Sequence, residues 1–317
     1  MLGPPAPTPF DPGVLRLARD LRASGIEPTA GGWHQVRHGV WMPRQSWSGL
    51  TPEQRHAARV HATALVVGRE DPVFALSSAA AVWGLPRIEP WPESVRVLVE
   101  TAQRGRSTAH VRPHVGRRSE AQQRFGLRVT PAARTVVDLA RTGSFVTALA
   151  AADHALRFGL CTTDELLAEA DAVPPRVRGR PVAGVVAALA DARSMSVGES
   201  LSRARMYLLN LPRPDLQVEV LDDDGLVGVC DFGWDGVVGE FDGRVKYGVP
   251  DGAGQEDAAQ VLWREKQRED RLRRRCRVAR WTWAVAMDAP QLAARLDEQG
   301  IRQQAVNTWL PRVVRHP

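Results

Sequence analysis

The chain has 317 residues and only three cysteines, Cys161, Cys230 and Cys276, which stand far apart without a CxxC pair. This spacing argues against a disulfide framework and a cysteine zinc site, and it fits a reducing compartment, so we expect a cytoplasmic protein. No continuous apolar run approaches the length of a membrane span, so no membrane partner is expected. The N-terminus lacks a basic start followed by an apolar run, which argues against a signal peptide.

Motifs of several common enzyme classes are also missing. No Walker or dinucleotide glycine fingerprint occurs, which argues against a nucleotide cofactor. No Gly-x-Ser-x-Gly elbow occurs, which argues against a serine hydrolase. The pairs His34/His38 and His110/His114 have the spacing of zinc ligands, but neither pair has the glutamate of an HExxH motif. Both pairs also fall in segments with the pattern of strands or loops, so no zinc site is expected.

The positive charge of the chain is concentrated in one segment. The formal net charge is +6, and the stretch from Arg264 to Arg280 holds nine basic and three acidic residues, so it carries the whole excess. Such a patch is typical of a protein that binds a polyanion. The alternative is a solvated helix face whose arginines pair with acids of the same helix. If the patch binds a polyanion, we expect four arginines that share one helix face to contact the DNA backbone: Arg264, Arg268, Arg271 and Arg275.

Composition and hydrophobic periodicity divide the chain into four parts. Residues 1–50 contain a hairpin pattern around Gly39 and predict a compact winged-helix-like segment. Residues 51–172 alternate helical and strand patterns, and 173–195 combine a Pro/Arg-rich linker with a helix. Residues 196–317 predict a helix, three short strands, a long basic helix and a further strand. We therefore expect an α/β fold class, α+β overall.

Acidic residues end two neighbouring predicted strands of the C-terminal part. A hairpin through Asp235-Gly236 would place Asp231 opposite Glu240, since both are equally far from the turn centre. Asp242 would share the face of Glu240 if the strand continues. Clustered carboxylates repel each other unless a cation joins them, and oxygen ligands select Mg²⁺ or Mn²⁺.

A metal at this edge would polarise a phosphate and activate a water molecule, which is the chemistry of phosphodiester hydrolysis. Lys246 follows closely in the sequence and is a candidate for stabilising the charge of the transition state. The alternative is a hairpin whose acidic side chains are simply solvated. The arginine-rich segment that follows favours the catalytic interpretation, because it suits the polyanion that would be cut.

Several segments over about 196–285 resemble a known bacterial domain. That domain is related to the very-short-patch-repair endonucleases of the PD-(D/E)xK superfamily. The resemblance implies a restriction-endonuclease-like mixed sheet flanked by helices. It also implies metal-dependent DNA cleavage, with Glu199, Asp231 and Glu240 as metal ligands and Asp242 as an additional acid. The segments that carry it are Val197-Gly198-Glu199-Ser200, residues 211–217, Asp231-Phe232-Gly233-Trp234, Glu240-Phe241-Asp242-Gly243, and residues 268–272 together with 278–283.

The chain departs from the superfamily at one position. The pattern Glu-x-Lys would place a lysine at position 242, where this chain has Asp242, and Lys246 comes four residues later. Two functions therefore remain open. The first is a metal-dependent endonuclease with a regulator-like DNA-binding region, and the second is a non-catalytic DNA-binding antitoxin or transcriptional regulator with a degenerate nuclease fold. A third interpretation is a module whose basic segment holds an acidic protein partner.

The N-terminal part carries a looser resemblance, over about 10–170. Gly39-Val40-Trp41, residues 76–86 and residues 134–140 resemble the AbiEi-type antitoxins and regulators of type IV toxin–antitoxin systems. The resemblance implies an N-terminal winged helix that binds DNA, and a cognate toxin as a partner. The alternative is an α+β scaffold that makes no DNA contact of its own.

Overall fold

The computed structural model describes residues 10–67, 71–100, 108, 110–116, 120–243 and 255–310, with the side chains of the last range described from residue 263 onwards. These residues form a mixed α+β structure with twelve α-helices and three β-sheets. The expected fold class is thus confirmed at this level. The chain divides into two compact units, Met1–Ala190 and Asp191–Pro317.

The first unit begins with a small three-stranded antiparallel sheet of order β1-β3-β2. The hairpin expected around Gly39 is present, and the positive φ of +79° at Gly39 explains why glycine suits its turn. Val40 and Met42 on the central strand are fully buried against α3. The elements are β1 (Arg16–Leu17), α1 (Ala18–Ala23), β2 (Trp33–Arg37), β3 (Val40–Pro43), α2 (Arg44–Gly49) and α3 (Pro52–Val67).

The remainder of the first unit is a five-stranded sheet of order β6-β5-β4-β8-β7 covered by helices. Alanine and valine side chains from the helices form its main core with Phe74 and Val129 of the sheet. The strands are β4 (Val73–Phe74), β5 (Val95–Val99), β6 (Val111–Val115), β7 (Gln122–Arg124) and β8 (Leu127–Val129). The helices are α4 (Leu76–Trp83), α5 (Ala132–Thr142), α6 (Phe145–Arg157), α7 (Thr163–Asp171) and α8 (Arg180–Leu189).

The segment whose composition suggests a linker is part of this core. Val173 is buried and Val177 packs against the same cluster. At Gly179, a Cβ would lie 2.4 Å from the backbone oxygen of Arg141, so the chain passes directly over α5. Helix α8 buries Ala183 in the cluster as well. The boundary between the units therefore follows Ala190. The apolar residues between the prolines and arginines pack into the core of the first unit, and composition alone does not reveal these contacts.

The second unit has the predicted order of a helix, three strands, a helix and a strand. Its sheet has the order β12-β11-β10-β9, with β9, β10 and β11 antiparallel and β11 parallel to β12. The parallel pair needs a long crossover, and α10 lies within it. The elements are α9 (Val197–Leu208), β9 (Asp215–Asp222), β10 (Gly225–Trp234), β11 (Val237–Asp242), α10 (Gln255–Arg275), β12 (Arg277–Thr282), α11 (Trp283–Met287) and α12 (Ala289–Asp297).

Helices cover both faces of this second sheet. On the α9 face, the ring of Trp281 stacks on Phe232 with 5.4 Å between centroids. The indole N–H of Trp281 also donates a hydrogen bond to Ser202 of α9 at 2.8 Å. On the α10 face, Leu272 is fully buried against Cys230 and Val238. The sheet therefore separates two apolar layers, one beneath α9 and one beneath α10.

The α9 face leaves no room for a side chain at Gly239. A Cβ there would lie 2.7 Å from the buried ring of Trp281 and 3.1 Å from Trp234. We expect Gly239→Ala to lower the free energy of unfolding by about 1–3 kcal/mol, because the rings would have to shift. Hydrogen exchange of the backbone amides of the second unit, measured at increasing temperature, reports this loss. Gly184→Ala in α8, where a Cβ would meet nothing within 4 Å, is the control and should be neutral or stabilising.

Candidate active site

The pairing of β9 with β10 is interrupted at one point. The ladder skips Gln217 and Asp231, although the pairs on either side of them are in register. Gln217 has φ +55°, a left-handed conformation that residues other than glycine rarely adopt. Cys230 packs on the α10 face and Phe232 on the α9 face, although residues two apart on a regular strand share a face. Asp231 therefore lies where β10 changes the face to which its side chains point.

Gln217 connects two carboxylates across this interruption. Its Nε2 donates a hydrogen bond to Oε2 of Glu199 at 3.1 Å, and its side chain also lies close enough to Asp231 to favour the ionised form of that carboxylate. Oδ2 of Asp231 accepts a further hydrogen bond from the backbone N–H of Phe241 on β11, at 2.7 Å. One amide side chain thus holds an acid from α9 and an acid from β10 at the same place.

Glu199 is fixed by the start of α9. Ser196 is the N-cap residue, and its hydroxyl accepts a hydrogen bond from the backbone N–H of Glu199 at 3.1 Å. Oε2 of Glu199 accepts a second hydrogen bond, from the N–H of Met195 at 2.8 Å. The residue is only 6% exposed. The N–H groups of a helix N-terminus favour a nearby negative charge, which suits a carboxylate at this position.

The carboxyl group of Asp231 is in a less favourable environment. Burial raises the pKa of Asp231 to about 6; the Phe241 N–H, Arg268 and Gln217 oppose this rise, while the charge of Glu240 adds to it. The raised pKa means that burial disfavours the ionised carboxylate at this position. A divalent cation would supply positive charge and restore the ionised form.

Glu240, the third expected metal ligand, lies in a separate ion-pair cluster. The register of the β10–β11 hairpin is the one expected from its turn, with Phe232 opposite Gly239. The carboxylate of Glu240, however, accepts hydrogen bonds from Arg268 at 2.9 Å and from Arg280 at 2.7 Å. The structure brings Glu199 and Asp231 together and leaves Glu240 bound to the arginines on the α10 face.

The other two residues of the expected site lie at the end of β11. Asp242 is exposed at the last position of the strand and pairs with Thr282 of the parallel strand β12. Lys246, the candidate for stabilising the transition state, lies outside the described residues.

The arginine face expected to contact phosphate is largely engaged in ion pairs. Arg271 binds both carboxylate oxygens of Asp222, and this contact lowers the pKa of Asp222 to about 2. Arg275 binds Asp223 at 2.6 Å. Arg268 is held by Glu240 and by Glu265. Of the four arginines, Arg264 alone forms no ion pair with an acid in the described part of the chain.

Sequence reasoning missed Gln217 as a functional residue. Counted from the centre of the Asp222–Gly225 turn, Gln217 would face Cys230. A bulge between Leu226 and Gly228 shifts the register by one residue and sets Gln217 opposite Asp231 instead. The only available signal was a polar residue between two apolar ones on a strand, which alone indicates no function.

The paired carboxylates fit one class of metal site. No group of three or more His, Cys, Asp or Glu side chains that could hold a metal occurs within the described ranges. Mg²⁺, however, is commonly held by only one or two carboxylates, with water and substrate phosphate completing its coordination. Glu199 and Asp231 supply that number of carboxylates.

Comparisons with known proteins add no further constraint. No protein-family model matches the chain, and the comparison with curated proteins found no match. Within the described ranges, none of the helices is both long enough and apolar enough to cross a bilayer.

The buried carboxylate predicts a pH-dependent difference in stability. The pKa of Asp231 rises from its ordinary value of 3.8 to about 6 on folding, so the folded state binds a proton that the unfolded state has lost. Stability therefore falls as the pH rises from about 4 to 6, and the loss persists at higher pH. We expect Asp231→Asn to be more stable than the wild type by about 3 kcal/mol at neutral pH and equally stable below about pH 4.

Denaturant titrations in EDTA at several pH values measure this difference. Asp235→Asn is the matched control, because Asp235 is exposed in the turn of the same hairpin. A wild type as stable as Asp231→Asn at neutral pH would show that ionising Asp231 costs no stability.

Proposed function

We propose that the second unit is a metal-dependent endonuclease that hydrolyses phosphodiester bonds of DNA. Glu199 and Asp231 would hold a Mg²⁺ or Mn²⁺ ion. The observation that carries this proposal is the contact of Gln217 with both carboxylates. A buried acid of α9 and a partly buried acid of β10 both lie beside this one side chain.

Bound between these acids, the metal would polarise a phosphate oxygen and lower the pKa of a water molecule. The residues of the chain would fix its position. Gln217 orients the two carboxylates, and the N–H of Phe241 restrains Asp231 from the neighbouring strand. Burial strengthens the attraction between the carboxylates and a cation, because the local dielectric constant is low.

Glu240 has a positioning role in this proposal. Its contacts with Arg268 and Arg280 join β11 to α10 and β12. These contacts hold the end of β11, where the N–H of Phe241 meets Asp231. A change at Glu240 would thus act on the site through the position of the strand.

Basic residues without an acidic partner are the ones we assign to the DNA backbone. Arg268, Arg271 and Arg275 are occupied by acids of their own unit, so their main effect is to attach α10 to the sheet. Phosphate contacts of this kind give salt-sensitive binding with little sequence preference. Among the described side chains, the basic residues of this segment that form no ion pair are Arg264, Lys266, Arg274 and Arg277.

The first unit would be the regulator-like part of the protein. Its three-stranded sheet, followed by α2 and α3, is compatible with a winged-helix-like arrangement that binds DNA. The looser resemblance of this unit to AbiEi-type proteins also suggests a cognate toxin as a partner.

Cleavage of a supercoiled plasmid tests the nuclease directly. We expect nicking or linearisation with Mg²⁺ or Mn²⁺, and none with EDTA. Asp231→Asn should lower the rate by at least about a hundredfold, because one of the two metal-binding carboxylates is lost. Asp235→Asn should cleave like the wild type. Undiminished cleavage by Asp231→Asn would remove Asp231 from the site.

Metal binding can also be measured without cleavage. Millimolar Mg²⁺ or Mn²⁺ should raise the thermal midpoint of the wild type, because a ligand that binds only the folded state stabilises it. The rise should be absent in Asp231→Asn and in Glu199→Gln and retained in Asp235→Asn. An equal rise in all four proteins would place the metal elsewhere.

The second candidate function is that of a DNA-binding regulator without catalysis. Two observations favour it: Asp242 stands at the position of the superfamily lysine, and two arginines neutralise Glu240, the acid of the same motif. This function predicts a plasmid that is retarded but intact, whether or not EDTA is present. Loss of retardation on changing Arg264 and Arg274 to glutamine would then identify the binding surface.

A further inference from the structure

The first unit contains a cavity of about 1050 Å³. Its walls are the first half of α3, the last residues of α4 and α6, residues 87–91 and the turn between β7 and β8. This volume is at the upper end of the range of small-molecule binding sites. None of the residues of the proposed nuclease site belongs to it.

Two arginines that form no ion pair within the described ranges line this cavity. The guanidinium of Arg124 lies 4.5 Å from the ring centroid of Trp83 and 4.9 Å from that of Phe125. Its Nε atom is buried and has no hydrogen-bond partner among the described residues. Neither Arg124 nor Arg59, which also lines the cavity, forms an ion pair within the described ranges, and burial lowers the pKa of both. Partly buried guanidinium groups without an ion pair favour an anionic ligand.

Phe125 is held in a strained conformation at the cavity. Phe125 and Gly126 form the two-residue turn between β7 and β8, with φ values of +48° and +74°. Asn or Gly is usual at both positions of such a turn, and a bulky aromatic residue with positive φ is an outlier. The side chain of Phe125 is 45% exposed, so core packing does not explain its presence. Strain of this kind is concentrated at ligand-binding sites.

The cavity also contains a polar group suited to the edge of a heteroaromatic ring. Burial raises the pKa of Glu53 on α3 to about 7, so near neutral pH its carboxyl group can both donate and accept hydrogen bonds. His154 stays neutral, because burial lowers its pKa to about 4. The cavity thus combines guanidinium groups, an exposed aromatic ring and uncharged hydrogen-bonding groups, while the carboxylate of Glu89 at its wall is paired with Arg87.

We propose that this cavity binds a nucleotide, with its phosphate at Arg59 and Arg124, its base on the ring of Phe125, and the edge of the base at Glu53. The chain lacks a glycine-rich phosphate loop, and the two arginines would replace it. A free nucleotide and the terminal nucleotide of a strand share this chemistry. The proposal is independent of the nuclease, which uses residues of the other unit.

Calorimetric titration of the full-length Asp231→Asn protein in EDTA separates this site from the metal site. The probes are the four nucleoside 5′-monophosphates, the corresponding nucleosides, inorganic phosphate and a 5′-phosphorylated dinucleotide. We expect at least one monophosphate to bind about tenfold more tightly than its nucleoside or phosphate alone. Tighter binding of the dinucleotide would identify a strand end as the ligand, and equal or weaker binding a free nucleotide.

Two variants assign the binding to the cavity. Arg124→Met keeps the aliphatic stem but removes the guanidinium, and it should weaken binding by about tenfold or more. Arg112→Met, at an exposed position of β6, is the matched control and should have no effect. Phe125→Asn should weaken binding and yet raise the thermal midpoint, because asparagine tolerates positive φ.

Two results would overturn the proposal. One is the absence of any monophosphate binding tighter than about 1 mM. The other is unchanged affinity in both Arg124→Met and Phe125→Asn.

Discussion

The contact of Gln217 with Glu199 and Asp231 is the interaction on which the candidate active site depends. It exists because the β9–β10 ladder is interrupted where Gln217 takes a left-handed conformation. A regular strand would point Asp231 away from both Cys230 and Phe232, into one layer of the unit. At the interruption the carboxylate instead meets the N–H of Phe241 and the amide of Gln217. The strained backbone at Gln217 thus places the carboxylates of Glu199 and Asp231 beside the same side chain. Strained backbone conformations are concentrated at functional sites.

The arginines of α10 have two different tasks. Those that face the sheet bind acids of the hairpins, with Arg271 on Asp222 and Arg268 on Glu240. These contacts and the buried side chain of Leu272 attach the helix to its sheet. The arginines on the exposed side leave a smaller basic surface than the sequence indicates. The net charge of the segment is unchanged, but its distribution decides which side chains can reach a phosphate.

Both proposed sites are recognised by the same physical criterion, a buried charge without an adequate partner. In the second unit, burial raises the pKa of Asp231, and a cation would offset that cost. In the first unit, Arg124 stacks on aromatic rings with its Nε unpaired, and an anion would offset its burial. Folding tolerates such costs only where the rest of the unit compensates, which makes them useful indicators of ligands.

The sequence by itself determined the order of elements in the second unit, the hairpin around Asp235-Gly236 and the segment that holds the basic charge, because these depend on periodicity and turn chemistry within a few residues. Only the tertiary structure decided which side chains meet. A one-residue bulge places Gln217 opposite Asp231 instead of Cys230. Glu240 binds Arg268 and Arg280, which lie 28 and 40 positions away in the chain. Likewise, Val173 and Val177 of the proline-rich segment pack in the main core of the first unit, which composition alone does not indicate. Contacts between distant residues depend on register and on which face a helix covers, and neither is encoded within a local window of sequence.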